Sequence, residues 1–226
     1  MRKVVPALLL ASILTGGAAA EGTCLPAQVL WARAQTLYQA TQNWQPSRIL
    51  SRTDELDDSG KVTDTTQVDV AYSAGPQGTV VRKVLAAWKN GQDITADRQK
   101  APPAQKMPAI PFDPAVQSRL TLVPGPFETR QGRSLVRFDF AVAPRDGDGS
   151  RGRVWLDPET GSPVEMSFTL DPLPQFVEKV DVLLQARQEG DHIELNRLEF
   201  QARGSFLFIH KNIHSVMVYS RFFPRG

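Results

Sequence analysis

The residues best suited to binding a metal ion are acidic side chains grouped in two segments. In the first, Asp146, Asp148, Ser150 and Asp157 stand at positions 1, 3, 5 and 12 of a pattern that resembles a calcium loop. Such a loop requires glycine at position 6 and a bidentate glutamate at position 12, whereas this chain has Arg151 and an aspartate there. A glycine-rich turn between two strands explains the same composition, so we expect no calcium site.

The second acidic segment is Asp54-Glu55 followed by Asp57-Asp58. Its spacing matches no known metal loop. It leads directly into Ser59-Gly60-Lys61, and aspartate with glycine is the composition that a tight turn needs. We interpret it as a solvated hairpin turn, and we predict that the protein holds no metal.

Histidine and serine motifs give no support for catalysis. His210 and His214 bracket Lys211-Asn212, which we interpret as a hairpin turn that would bring the two imidazoles face to face. Two histidines without a third ligand do not make a zinc site, and the sequence has no HExxH motif. It also has no Gly-x-Ser-x-Gly elbow and no glycine-rich phosphate loop. We therefore predict a protein with no catalytic residues and no cofactor, that is, not an enzyme.

Residues 1–20 have the organisation of a signal peptide. Arg2 and Lys3 precede an apolar run over residues 4–14, and three alanines at 18–20 suit a cleavage site. The run is shorter than the ~20 residues that a spanning helix needs, so we expect no membrane span after cleavage. We predict an exported, periplasmic protein with one mature domain over residues 21–226.

The mature chain carries no net charge that would attract nucleic acid. The leader holds two of the 26 basic residues, which leaves 24 basic against 24 acidic residues. We therefore expect no nucleic-acid partner. Cys24 is the single cysteine, so no internal disulfide can form, and Glu21-Gly22-Thr23 before it does not fit a lipidation signal. Stability must come from packing and from strand pairing.

The segment that organises the chain is a predicted hairpin over residues 153–170. Its turn is Asp157-Pro158-Glu159-Thr160-Gly161, and apolar residues alternate with polar ones after it. The same period of two recurs in three strands, whose apolar residues are Val136, Phe138 and Phe140, then Met166, Phe168 and Leu170, then Val180, Val182 and Leu184. A phase slip at Asn196-Arg197 predicts a β-bulge. The pattern predicts a long antiparallel meander with one apolar face.

Only two segments are available to cover that face. Ala27, Trp31, Ala34 and Tyr38 fall at helical spacing after Pro26, which predicts one amphipathic helix ending before Pro46. Residues 98–126 contain seven prolines, which excludes a long helix or a regular central strand; we expect one short helix over residues 115–122. Whether this insertion is a flap or a passive crossing is left open.

A resemblance to a known family rests on three stretches of the sequence. They are the turns Asp57-Asp58-Ser59-Gly60-Lys61 and Lys89-Asn90-Gly91-Gln92, and residues 155–164, Trp-Leu-Asp-Pro-Glu-Thr-Gly-Ser-Pro-Val. In this order, after an exported helix, they resemble the LolA/LolB-like lipoprotein-carrier superfamily, in particular its outer-membrane lipoprotein-sorting members. The resemblance implies an unclosed β-barrel with a helical lid over a cavity that binds acyl chains. Arg48 and Arg52 are the candidates for the arginine that ties strand to lid in that family.

We therefore expect an α+β fold, a strongly curved antiparallel sheet forming an unclosed half-barrel, covered by the N-terminal helix and a proline-rich helical lid. The expected function is a periplasmic carrier or chaperone for acyl chains of lipoproteins or lipids, with a role in outer-membrane lipoprotein sorting and an inner- or outer-membrane partner protein left open. The alternative is a non-enzymatic sensor or interaction module with a filled core, acting through its strand edges. The candidate ligand contacts are Trp31, Tyr38, Val136, Phe138, Phe140, Met166, Phe168, Leu170, Val180, Val182 and Leu184.

Overall fold

The computed structural model describes residues 24–100, 109–206 and 209–225, so the predicted signal peptide lies outside the described residues. Two α-helices and eleven strands make up most of the described chain. The helices are α1 (Ala27–Thr41) and α2 (Thr95–Lys100). The strands are β1 (Trp44–Leu56), β2 (Val62–Ala74), β3 (Val80–Lys89), β4 (Gln92–Asp93), β5 (Leu120–Arg130), β6 (Arg133–Val142), β7 (Ser150–Leu156), β8 (Pro163–Leu170), β9 (Val177–Glu189), β10 (His192–Phe206) and β11 (Ile209–Pro224).

All eleven strands form one sheet in the order β4-β3-β2-β1-β11-β10-β9-β8-β7-β6-β5. The first and last long strands, β1 and β11, pair in its interior, from Trp44 opposite Pro224 to Leu56 opposite Asn212. β4 and β5 are the two edges, so the sheet is not closed. The predicted antiparallel meander and the unclosed, few-helix α+β architecture are confirmed, and they fit a curved half-barrel.

Local sequence sets where the sheet turns and bends. Asn90 and Gly91, with φ of 52° and 83°, form the predicted two-residue hairpin turn between β3 and β4. The register of β10 against β9 shifts between Leu195 and Arg197, so the predicted bulge is confirmed. Such a bulge increases the local twist, because one strand carries an extra residue.

Helix α1 packs its apolar stripe against one face of the sheet. Leu30, Trp31 and Ala34 are buried there among side chains of β6 to β10. Trp31 contacts Phe138, which is fully buried, with ring centroids 5.6 Å apart. No helix of the described chain has the length and apolar character that crossing a bilayer requires.

The predicted hairpin turn at Lys211-Asn212 is wrong. Both residues lie inside β11, where they pair with Gly204 and Arg203 of β10. His210 and His214 therefore lie on one strand rather than facing each other, and His214 Nε2 lies 3.0 Å from Glu199 Oε1. The reason is that a polar pair without glycine fits an exposed strand position as well as a turn.

Residues 101–108 of the proline-rich segment lie outside the described residues, and the described part after them contains more strand than expected. β5 begins at Leu120 and runs through Pro124 and Pro126, with a register shift between Pro124 and Phe127. Because β5 is an edge strand with a bulge, the missing amides of its prolines cost no ladder hydrogen bond. The short helix expected over 115–122 is present as a 3₁₀ helix, Pro114–Arg119, and Asp113 accepts a hydrogen bond from Ala115 N at 2.9 Å.

Candidate ligand groove

A groove of about 420 Å³ lies between the C-terminal end of α1 and the apolar face of the sheet. Its walls come from three places: the end of α1, the segment 109–119 that leads into β5, and the adjacent strands β1, β11, β10, β9 and β8. Its lining residues are Tyr38, Thr41, Gln42, Trp44, Pro46, Ile110, Phe112, Pro163, Glu165, Met166, Leu184, Ala186, Ile193, Leu195, Tyr219, Phe222 and Arg225. Most of these side chains are apolar or aromatic, which is the usual composition of a small-molecule site.

Helix α1 is held over the sheet by the turn between β7 and β8. Leu25 N donates to Pro158 O at 3.2 Å, and the Arg33 guanidinium donates to Glu159 O at 3.0 Å. The helix passes so close that a Cβ at Gly161 would lie 2.9 Å from Leu30 O. Gly161 also has φ of 73°, so both the close approach and the turn require glycine. The hairpin that organises the sequence therefore also positions the helix.

The segment 109–119 closes one side of the groove. Phe112 is buried and packs on Trp31, with ring centroids 4.8 Å apart, and on Tyr38 at 6.2 Å. Ser150 Oγ donates to Ala109 O at 3.1 Å, which fixes the start of the segment to β7. The segment therefore behaves as part of the wall and not only as a crossing between edges.

The other end of this segment is fixed by an ion pair. Arg119 donates to both carboxylate oxygens of Asp148, at 2.7 and 2.9 Å. The hydrogen bonds from Arg119 lower the pKa of Asp148 from its usual value to about 2. Asp148, which the calcium pattern places at a ligand position, thus acts in the structure as an anchor for the segment.

Two backbone irregularities, one in β10 and one in β11, place side chains on the groove side of the sheet that strict alternation would place on the other side. The bulge in β10 lets Leu195 and Leu198, which are an odd number of positions apart, both face the apolar side. In β11, Tyr219 and Phe222 both line the groove although they are three positions apart, and Arg221 between them has φ of 52°. Strict alternation would place the members of each pair on opposite faces.

Few polar groups face the groove, and its two tyrosines stay neutral at ordinary pH. Burial, with the charge of Asp113, raises the pKa of Tyr38 above its usual value. Burial raises the pKa of Tyr219 to about 12. The carboxylate of Glu165 accepts hydrogen bonds from Gln131 and Gln185 and pairs with Arg130 at 2.8 Å. The lining is therefore suited to apolar contact rather than to proton transfer.

The structure brings the predicted ligand face together, but it divides the residues between groove and core. Tyr38, Met166 and Leu184 line the groove. The other eight contribute to the hydrophobic cluster beneath α1: Trp31, Val136, Phe138, Phe140, Phe168, Leu170, Val180 and Val182. The role of the eleven residues as ligand contacts stays a prediction.

Sequence reasoning missed most of the remaining wall. Trp44 and Pro46 lie at the start of β1, directly after the helix, where the sequence shows no alternation, and the rings of Trp44 and His192 stack with centroids 3.9 Å apart. Ile110 and Phe112 lie in the proline-rich segment, where no periodicity marks a buried side chain. The phase slip before Arg197 is the one signal that could have added Leu195 to the set.

In the described part of the chain, the two arginines that the resemblance suggested as ties to the lid pair with carboxylates of the sheet instead of with segment 109–119. Arg48 donates to Asp69 at 2.6 and 2.9 Å, and Arg52 donates to Asp54 of its own strand. Both side chains are about half exposed and lie away from the groove. The ion pair that anchors segment 109–119 is instead formed by Arg119 and Asp148.

No protein-family model and no curated protein matches the sequence. Among solved structures, the chain is similar to a LolA superfamily protein from Nitrosomonas europaea, with 9% identity, a TM-score of 0.39 and coverage of 89% of this chain and 94% of that chain. It is similar to a DUF1329 family protein from Desulfovibrio piger, with 8% identity, a TM-score of 0.43 and coverage of 88% and 93%. A putative outer membrane lipoprotein-sorting protein domain from Vibrio parahaemolyticus has 10% identity, a TM-score of 0.39 and coverage of 88% and 90%.

At these identities and TM-scores the likeness carries no argument about function, so ligand and partner have to be argued from the groove and the sheet of this chain.

Proposed function

We propose that this protein is a periplasmic carrier or chaperone that shelters an acyl chain in the groove beside α1. The observation that carries the proposal is the groove itself: an open, apolar space of about 420 Å³ next to the hydrophobic core under α1. Its volume falls in the ~300–1,000 Å³ range of small-molecule sites. An alkyl chain is the ligand class that would gain most from such a lining, because its transfer from water scales with apolar area.

The same lining argues for binding rather than for catalysis. Tyr38 and Tyr219 stay protonated, and Thr41 is engaged by Leu37 O at 2.8 Å and by Ile193 N at 2.9 Å. A general acid or base needs a titratable group within reach of substrate and with a pKa near neutrality. We therefore propose a non-enzymatic role, in which the acyl chain belongs to a lipoprotein or to a free lipid.

A second candidate function is an interaction module of the same fold that acts through a strand edge. The observation that favours it is the edge at β3, where amide groups of the strand are covered by side chains rather than by another strand. The two functions use different parts of the sheet, so both can be tested on one protein.

The proposed carrier function is tested by filling the groove. Ala186 lines it, so Ala186→Phe would occupy the space that an alkyl chain needs, whereas Ala141→Phe adds the same ring at an exposed position. The measurements are native mass spectrometry of protein purified from cells and titration with a fluorescent fatty acid. We expect bound lipid and fatty-acid uptake for the wild type and for Ala141→Phe, and at least a tenfold weaker uptake for Ala186→Phe. A wild type that carries no lipid and takes up no fatty acid would rule the carrier out.

A further inference from the structure

The open edge of β3 is completed by side chains of α2. Val84 N donates to Gln99 Oε1 at 2.7 Å, and Ala87 N donates to Thr95 Oγ1 at 2.9 Å. Both amides therefore point away from β2, toward the place where a further strand would lie. The paired strand on that side, β4, has only two residues. Helix α2 thus supplies acceptors that a neighbouring strand would supply with its carbonyl groups.

Among the described residues, few other contacts hold α2 in that position, and one of them is a hydrogen bond of 3.3 Å that Arg82 of β3 donates to Arg98 O. The helix has six residues and buries none of its side chains. The residue before it, Ile94, is partly buried against a small cluster of Val70, Val84 and Ala87, and Ile94 N donates to Ala87 O at 2.9 Å. A helix of this length is not stable by itself, so its place depends on these few contacts.

The opposite edge of the sheet is protected in a different way. β5 contains Pro124 and Pro126, which have no amide hydrogen, and its register is broken between Pro124 and Phe127. Prolines and bulges are devices that prevent another strand from pairing with an edge. β3 also has a bulge, where Val84 and Ala86 pair with successive residues of β2, but it contains no proline, so its outward amides can still pair with a further strand.

The residues of β3 and α2 indicate what kind of segment would fit. Val80, Val81 and Leu85 are 38%, 48% and 44% exposed, so β-forming side chains are available on the edge strand. Residues 80–100 carry five basic side chains against two acidic ones: Arg82, Lys83, Lys89, Arg98 and Lys100 against Asp93 and Asp97. This excess of positive charge favours a negatively charged partner.

We propose that β3 accepts an extended, acidic segment of a partner protein as an added strand, and that α2 is a placeholder which moves aside when the segment binds. The carbonyl groups of the segment would replace Gln99 Oε1 and Thr95 Oγ1 as acceptors for the two amides. This is strand addition, in which backbone pairing gives affinity and side chains give selectivity. The site does not depend on the acyl groove.

The test uses the full chain and two labelled ten-residue peptides, one alternating valine with glutamate and one alternating valine with lysine. The double variant Thr95→Val with Gln99→Ala removes both acceptors of α2 without touching the strand. We expect fluorescence anisotropy to show at least fivefold tighter binding of the glutamate peptide to the double variant than to the wild type. Thr129→Val with Gln201→Ala makes the same two changes at exposed positions elsewhere and should bind as the wild type does.

Hydrogen exchange reports whether the peptide occupies the proposed edge. The amides of Val84 and Ala87 should exchange faster in the double variant and regain protection when the glutamate peptide is added. Lys83→Glu should weaken binding at least threefold. Fast exchange without any peptide binding, or equal affinity for the lysine peptide, would overturn the proposal. Ala186→Phe should bind the peptide normally, so a failed carrier function and a failed edge site give different results.

Discussion

The two halves of the sheet have similar strands and very different cores. The helix-covered half, β5 to β11, lies under α1 and contains most of the buried side chains, including Phe138, Val154 and Leu156 with no exposure. The thin half, β1 to β4, has a cluster of three buried residues, Val70, Val84 and Ala87. Leu50, Leu85 and Trp88 of that half are 44%, 44% and 41% exposed. The difference between the two halves shows that strand pairing forms the whole sheet, whereas a large buried core forms only where α1 packs on it.

This division also separates the two proposed functions. The groove needs a rigid frame, and it lies at the margin of the helix-covered half, where packing of α1 stops at Thr41. The edge at β3 needs a cover that can leave, and it lies in the half where little apolar surface is buried. Regions that open locally are drawn from the less stable parts of a fold.

The largest expected effect is in the middle of the helix-covered half. Phe138→Ala should lower the free energy of unfolding by about 3–5 kcal/mol, because Phe138 is fully buried against Trp31 and truncation leaves a cavity. Urea unfolding followed by tryptophan fluorescence measures it. Phe168, 4% exposed and outside the groove lining, should behave in the same way. If Phe138→Ala or Phe168→Ala lowers the free energy of unfolding by less than about 1 kcal/mol and also weakens lipid binding, that phenylalanine has the predicted role of a ligand contact.

The next largest loss of stability is expected at one of two leucines of β10. Leu198 is 5% exposed in the core, and Leu195 is partly buried and lines the groove. Leu198→Ala should cost about 2–5 kcal/mol of stability, the range for a packed leucine. Leu195→Ala should cost clearly less and should weaken fatty-acid binding. Equal losses of stability at the two positions, with unchanged binding, would mean that the groove is ordinary core.

A smaller effect is expected in the thin half. Val84→Ala removes two methyl groups from the three-residue cluster, and at about 0.8 kcal/mol per buried carbon the loss should be about 1.5 kcal/mol. Thermal unfolding by circular dichroism measures it. If Val84→Ala costs as much as Phe138→Ala, the two halves do not differ as their cores suggest.

Features of the fold that depend on residues close together in the sequence could be predicted from it, whereas features that depend on distant residues could not. Alternation over residues 136–140, 164–170 and 180–184 predicted strands and their buried face, because that signal is local. The turn Asn90-Gly91 and the bulge before Arg197 were equally readable. Pairing of β1 with β11, more than 150 residues apart, follows from no local pattern.

The groove was predicted only in part for the same reason. Met166 and Leu184 came from alternation, and Tyr38 came from the helical stripe. Phe222 reaches the groove next to a backbone irregularity at Arg221 that alternation does not show, and Phe112 lies in a segment without periodicity. The division into core and groove depends on where α1 ends relative to the sheet, which is a tertiary property.

The smallest effect concerns the Arg119–Asp148 ion pair, which anchors the end of segment 109–119 in the helix-covered half. The pKa of Asp148 is lowered to about 2 in the folded protein, from an ordinary value of 3.8. A lowered pKa means that the pair stabilises the fold above pH 4, and that this contribution is lost as the pH falls from about 4 to 2. The side chain of Asp148 is 40% exposed, so solvent screens the pair and the effect should be modest.

Thermal unfolding between pH 2 and 5 tests this anchor against a neighbouring control. The wild type should lose more stability over that range than Asp148→Asn, which has no carboxylate to protonate. Asp146→Asn, whose side chain is 95% exposed, should keep the wild-type dependence. Because Ile110 and Phe112 form a wall of the groove, fatty-acid affinity at pH 7 should also be lower in Asp148→Asn than in Asp146→Asn. If Asp148→Asn loses less stability than the wild type over this range while its fatty-acid affinity stays at the wild-type level, the buried Phe112 and the Ser150–Ala109 hydrogen bond are enough to hold the segment, and the ion pair is only an attachment at the sheet edge.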